Sequence, residues 1–157
     1  MLFFILALIC GAGTPLLAIQ LLWLNVISDG LQDLSLSLEK PEKDIMNEKP
    51  RPTNESLFSK SMVAQCLVGG LTIGLTVFGA WMIFTQALHF DLVVARSLVM
   101  ALMVFLQNIH ALNCRSEKQS AFKVSIKSNP FVVISVICCI ILQIIYFLLC
   151  LNIFLLV

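Results

Sequence analysis

The sequence predicts an all-α integral membrane protein, a helical bundle of about four full spans plus a truncated first helix. Three observations predict it. Hydrophobic residues make up 59% of the 157 and charged residues only 12%, where a water-soluble domain carries about 25% charged residues to wet its surface. The apolar residues fall in long blocks, each near the roughly 20 residues that a helix needs to cross a bilayer. Polar residues collect between the blocks, above all in two stretches at about 39–60 and 114–129. Residues 1–157 therefore read as a single transmembrane domain.

Met1 to Cys10 is apolar but short, and no Lys or Arg precedes Lys40. A signal peptide would carry a basic head and a small-residue cleavage site, so this segment reads as a helix cut off at its start. Gly11, Gly13 and Pro15 break it. A span follows from Leu16 to about Leu38, apolar except for Asn25, Ser28, Asp29, Gln32 and Asp33. Pro41, Pro50 and Pro52 make 39–60 an exposed connecting loop, because proline removes the donor and fixes the φ that a helix interior requires. The next span is Ser61 to Leu88, with Gly69, Gly70, Gly74 and Gly79. After a short turn at His89 to Asp91 comes another, Leu92 to Asn113. Arg115 to Ser128 is polar, Asn129-Pro130 punctuates it, and the last span runs from Phe131 to about Leu151, with apolar residues continuing to Val157.

Nine of the ten basic residues sit in the two long loops: Lys40, Lys43, Lys49, Arg51 and Lys60 in one, Arg115, Lys118, Lys123 and Lys127 in the other. Only Arg96 lies elsewhere. Two spans separate the loops, which puts both on one side, and loops rich in Lys and Arg stay in the cytoplasm. The net charge of +1 leaves no basic stripe to neutralise phosphates, so nucleic acid is excluded as a partner. Six cysteines, Cys10, Cys66, Cys114, Cys138, Cys139 and Cys150, lie mostly in apolar runs without CxxC spacing or partnering histidines, so they read as small packing residues.

Asp29 is the most informative residue. An ionised carboxylate inside an apolar span costs about 2.5–3.5 kcal/mol or more, and such residues face a bundle interior and mark an ion or proton path. At 100° per residue, Asn25, Ser28, Asp29, Gln32 and Asp33 fall within an arc of about 140°. One face thus gathers carboxylate, amide and hydroxyl oxygens. Oxygen donors suit hard cations such as calcium, magnesium, sodium or potassium. Gly30 would let the helix loosen beside Asp29, as broken helices do at ion sites. Interhelical hydrogen bonding would account for Asn25 or Gln32 alone; Asp29 flanked by Asn25 and Ser28 reads as ion binding, and Asp33 as interfacial. Gln107 and His110 share a helix face, with a structural hydrogen bond favoured over a proton relay for His110. The Gly70–Gly74 spacing suits close helix packing within the bundle. Trp23 and Trp81 fit interfacial anchors or core filler equally well. Gln143 and Tyr146 stand in the last span without an acidic companion, and no nucleophile triad is visible.

The stretch Ile19-Gln20-Leu21-Leu22-Trp23-Leu24-Asn25-Val26-Ile27-Ser28-Asp29-Gly30 resembles the sixth transmembrane helix of calcium-pump-type P-type ATPases. Lys40-Pro41-Glu42-Lys43-Asp44-Ile45-Met46 and Pro50-Arg51-Pro52 resemble the family's next cytoplasmic loop. Gly69-Gly70 and Gly74 fit its seventh helix, and Ala111-Leu112-Asn113 with Ser116-Glu117-Lys118-Gln119-Ser120 the end of its eighth. The resemblance runs from the end of helix five to helix nine. It implies that Asn25 and Asp29 are cation ligands, with Ser28 where a threonine ligand is common. Gln107 falls where sarcoplasmic-type pumps have a glutamate ligand, Gln32-Asp33 departs from the usual Pro-Ala, and the acidic ligand of helix five would lie upstream of Met1. The implied cargo is Ca2+; Mg2+ and ATP would be used by domains outside these residues, since no Asp-Lys-Thr-Gly-Thr motif occurs here. The implied partners are the lipid bilayer, the metal cation and the rest of a P-type ATPase or other membrane helices. A rival reading is a non-enzymatic membrane protein, a truncated pump or accessory subunit, packing against other helices. A secondary transporter would show an internal repeat, and none is present.

Overall fold

The computed structural model describes residues 2–39, 60–115 and 129–156, and among them every element is helical. The loop basic residues Lys40, Lys43, Lys49, Arg51, Lys118, Lys123 and Lys127, and the loop motifs at 40–46, 50–52 and 116–120, lie outside the described residues. The elements are α1 (Leu2–Ile9), α2 (Ala18–Trp23), a π-helical turn (Leu24–Asp29), α3 (Gly30–Ser37), α4 (Lys60–Met82) with a second π turn (Ile83–Ala87), α5 (Leu92–Asn113) and α6 (Pro130–Leu156). Among the described residues three helices are long and apolar enough to cross a membrane: Met62–Ala87, Leu92–Asn113 and Pro130–Leu149. The span expected at 16–38 is helical throughout 18–37, but in three abutting pieces because of its π turn. The chain is an integral membrane protein with an all-α bundle fold.

Burial follows the logic of a lipid-facing bundle. Ile19, Leu75, Phe131 and Ile144 face outward, while the interior holds Gln20, Ser28, Gln32, Ser35, Asn108, Ser135 and Gln143 together with an apolar core of Phe3, Leu24, Val77, Trp81, Val99, Met100 and Val104. In lipid there is no hydrophobic force between helices, so close packing and interhelical hydrogen bonds do the joining. Trp81, left undecided by sequence, is fully buried, and Trp23 is half-buried with its ring 5.4 Å from that of Tyr146. Among the described cysteines, all unpaired, Cys139 is buried and Cys10, Cys66, Cys114 and Cys138 are exposed.

The turn between α1 and α2 takes its shape from Gly11 and Gly13, whose φ of 63° and 75° lie in the left-handed region that glycine enters without steric cost. Two side chains pin it. Trp81 donates its indole N–H to the Ala12 carbonyl at 3.1 Å, and Arg96 donates Nε and an Nη to the Thr14 carbonyl at 3.2 and 3.0 Å. Arg96, the basic residue outside the long loops, thus anchors this turn.

The glycines of α4 set its crossings, though not through the Gly70–Gly74 pair. A Cβ at Gly74 would meet Leu2 at 2.9 Å and one at Gly69 would meet the His110 ring at 2.8 Å, whereas at Gly70 it would meet nothing within 4 Å. Gly69→Val is expected to destabilise the bundle by about 1–3 kcal/mol, the usual cost of overpacking. The check is a lowered thermal midpoint in detergent that His110→Ala restores and that Gly70→Ala does not reproduce.

Candidate functional site

The polar helix of 18–37 lies against α5 and α6, and its π turn falls on the residues singled out by sequence. Single-turn π segments widen a helix by one residue and occur at functional sites. Here the Gly30 N–H bonds the Asn25 carbonyl, five residues back. The helix loosens beside Asp29 as Gly30 suggested, by widening and not by opening.

The expected polar face resolves into two neighbouring rows. An inner row, Gln20, Leu24, Ser28 and Gln32, is 1 to 5% exposed and points into the bundle. An outer row, Asn25, Asp29 and Asp33, is exposed at both ends and half-buried at Asp29. Asn25, Ser28 and Asp29 therefore do not close into one cluster: Asn25 is exposed, Ser28 is buried, and Asp29 pairs elsewhere. Its Oδ1 accepts a hydrogen bond of 2.9 Å from Nε2 of Gln107 on α5. Asp33 is exposed near the end of the span, in keeping with an interfacial position.

Two buried oxygens lack hydrogen-bond partners, Ser28 Oγ on the inner row and Gln107 Oε1 in this pair. A buried polar atom left unpaired costs about 1–3 kcal/mol, so each is a free donor site for a positively charged group. Asp29, Gln32, Asp33, Gln107, His110 and Cys114 help to line a cavity of about 400 Å³ between α1, α3, α4 and α5. Among the described residues no three His, Cys, Asp or Glu side chains gather as a metal-binding group. What the cavity offers is the Asp29 and Asp33 carboxylates with the Gln32 and Gln107 amides, a partial set of oxygen donors for a hard cation.

Sequence reasoning missed several polar contacts. Gln32 donates Nε2 to Asn108 Oδ1 at 2.8 Å, Gln20 donates Nε2 to the Tyr146 hydroxyl at 3.1 Å, and Glu39 takes a two-pronged ion pair from Arg115 at 3.0 and 3.1 Å. The available signal was the presence of amides in apolar spans, where unpaired amides are costly; pairing them requires the helix arrangement.

Residues 13–156 match the family model described as cation transporting ATPase, C-terminus. The chain belongs to that family. Calcium-transporting ATPase 1 of Bacillus cereus is 33% identical over 154 residues, covering 88% of this chain. A calcium-transporting ATPase of Bacillus subtilis is 34% identical over 125 residues, covering 80%, and the human calcium-transporting ATPase type 2C member 1 is 32% identical over 126, covering 79%. The chain spans only 17, 14 and 13% of the length of these three relatives. Membership in the cation transporting ATPase C-terminus family makes the bundle a membrane cation-transport domain.

Proposed function

We propose that this domain serves an ATP-driven calcium pump, with Asp29, Ser28 and Asn25 contributing oxygen ligands to the transported Ca2+. The observation that carries this reading is the half-buried Asp29 carboxylate bonded by Gln107, whose own Oε1 is buried without a partner. A bound cation would offset the desolvation of the carboxylate and pair the free Gln107 oxygen. The exposure of Asn25 on the outer row suits a site completed by another part of the pump. Gln107 engages the carboxylate as a neutral donor, so it orients Asp29 without adding charge. The names of the relatives support calcium as the cargo.

In this reading ATP and Mg2+ are used by other domains of the pump, and phosphorylation there shifts the helices between two arrangements that expose the site to opposite sides in turn. The π turn lets the ligand-bearing segment rewind locally. Both long loops face the cytoplasm. The test is ATP-driven calcium uptake by membrane vesicles containing the full pump. Asp29→Asn keeps size and the Gln107 contact but removes the charge, and uptake is expected to fall by at least about 100-fold, the value of roughly 2.7 kcal/mol of lost ion stabilisation. Unchanged apparent calcium affinity in this variant, with the protein folded, would remove Asp29 from the site.

A further inference from the structure

Gly69 seats the His110 ring between α4 and α5, and that contact gathers three reactive groups. A Cβ at Gly69 would meet the ring at 2.8 Å, so only a residue without a side chain lets the imidazole lie against α4. On its other side the ring meets Cys114, with Nε2 3.5 Å from Sγ, within reach of a hydrogen bond to sulfur. Cys114, read from sequence as lacking a partnering histidine, has one.

Cys66 completes the group. α4 and α5 are joined by the short turn at 88–91 and run antiparallel. Cys66 precedes Gly69 by three positions and Cys114 follows His110 by four, the intervals that keep residues on one helix face. Each cysteine thus lies one turn beyond the Gly69–His110 contact, away from the connecting turn, and the two stand at one level. Both are exposed there. Desolvation and the neighbouring Cys66 thiol hold the Cys114 thiol above the ordinary cysteine range. Cys114 therefore carries its proton at neutral pH, and a base must take it before the sulfur reacts. Nε2 of His110 is that base in the tautomer with its proton on Nδ1. Cys10 and Cys138 are exposed too, but among the described residues no histidine bonds either.

We propose that Cys66, His110 and Cys114 form an oxidation site, a thiol pair that a hydroperoxide converts into a disulfide joining α4 to α5. His110 takes the Cys114 proton as the sulfur attacks a peroxide oxygen. The O–O bond breaks, Cys114 becomes a sulfenic acid, and the leaving oxygen recovers the proton from His110 and departs as an alcohol, or as water from hydrogen peroxide. The Cys66 sulfur then attacks the Cys114 sulfur, the S–O bond breaks, and the hydroxide leaves as water with the Cys66 proton. Two thiols lose two electrons, and the peroxide gains them. A disulfide needs its Cα atoms within about 7 Å, which a helix crossing on a bare glycine permits. In the reducing cytoplasm, where the transport reading places this end of the bundle, such a bridge is transient. The site itself does not depend on that reading.

The experiment treats membranes containing the full pump with hydrogen peroxide and maps the thiols by peptide mass spectrometry without reductant. The peptides carrying Cys66 and Cys114 are expected to be recovered joined, and to separate on addition of dithiothreitol. His110→Gln should slow the joining by at least about tenfold, a modest share of what a positioned base contributes. Cys66→Ser should leave Cys114 as a sulfenic acid that dimedone captures. Recovery of the two peptides from the parent protein only unjoined, or joined to other cysteines, overturns the site, as does joining at an equal rate in His110→Gln. The bridge is sought in the parent protein, so a variant that fails to fold leaves the test intact. Calcium uptake is not the readout, so a failure here leaves the Asp29 reading to its own test.

Discussion

Arg115→Ala is expected to lower the stability of the folded bundle by about 3–5 kcal/mol, the cost of removing one partner from a buried ion pair. The Arg115 and Glu39 side chains are only 3 and 15% exposed, and the guanidinium meets the carboxylate with two donors. Such a fork is the strong form of a charge-assisted bond. Removing it takes two charge-assisted bonds from a carboxylate at low exposure, which keeps the neutral bond from Asn129. The desolvation cost then remains while most of the attraction is gone. Replacing both partners at once, Glu39→Gln with Arg115→Met, should recover more than half of the loss, because the charge that needed compensation has been removed with its compensator. Thermal unfolding of the full pump in detergent or nanodiscs measures both variants. Equal midpoints for Arg115→Ala and the parent would show that this ion pair is bathed in water and contributes little.

Trp81→Ala is expected to cost about 3–5 kcal/mol, the range for removing a large buried aromatic side chain. Trp81 has no exposed surface and belongs to the apolar core with Phe3, Val77 and Val99. In a bilayer the loss does not come from water, since lipid and core are equally apolar; it comes from the hole left among close-packed neighbours. The substitution also strips the Ala12 carbonyl of its indole donor, so the turn between α1 and α2 should loosen. Trp81→Phe separates the effects. It keeps most of the ring and drops the hydrogen bond, and should cost about 1 kcal/mol. Hydrogen exchange at residues 10–16 should rise in both variants. A rise with Trp81→Ala alone would assign the turn's rigidity to packing and not to the bond.

The fold class was legible because a bilayer imposes a length rule that composition cannot disguise. The span Leu92 to Asn113 coincides with α5, since a turn and a polar loop bound it. The span at 16–38 was located correctly, but its π turn was not foreseen beyond the loosening at Gly30: widening depends on which residues the neighbouring helices press inward. Asp29 stood out because a lone carboxylate in an apolar run has few uses. Its contact with Gln107 could not be read, since the two are 78 positions apart. The same holds for Ser35 with Ser135 and for Gln20 with Tyr146. Gly70 and Gly74 formed the familiar spacing, yet Gly69 and Gly74 make the close approaches, because contact is decided by which neighbour lies opposite and not by spacing within one helix.

Gln20, Leu24, Ser28 and Gln32 remain inward at strict intervals of four, although an ordinary α-helix would turn the row by about 40° at each step. The slack in the middle of the helix absorbs that drift. The count of residues between Gln20 and Gln32 therefore matters as well as their identity. Loss or gain of a single residue there would swing one end of the helix out of phase with the other, carrying either the Tyr146 contact or the Asn108 contact away from its partner.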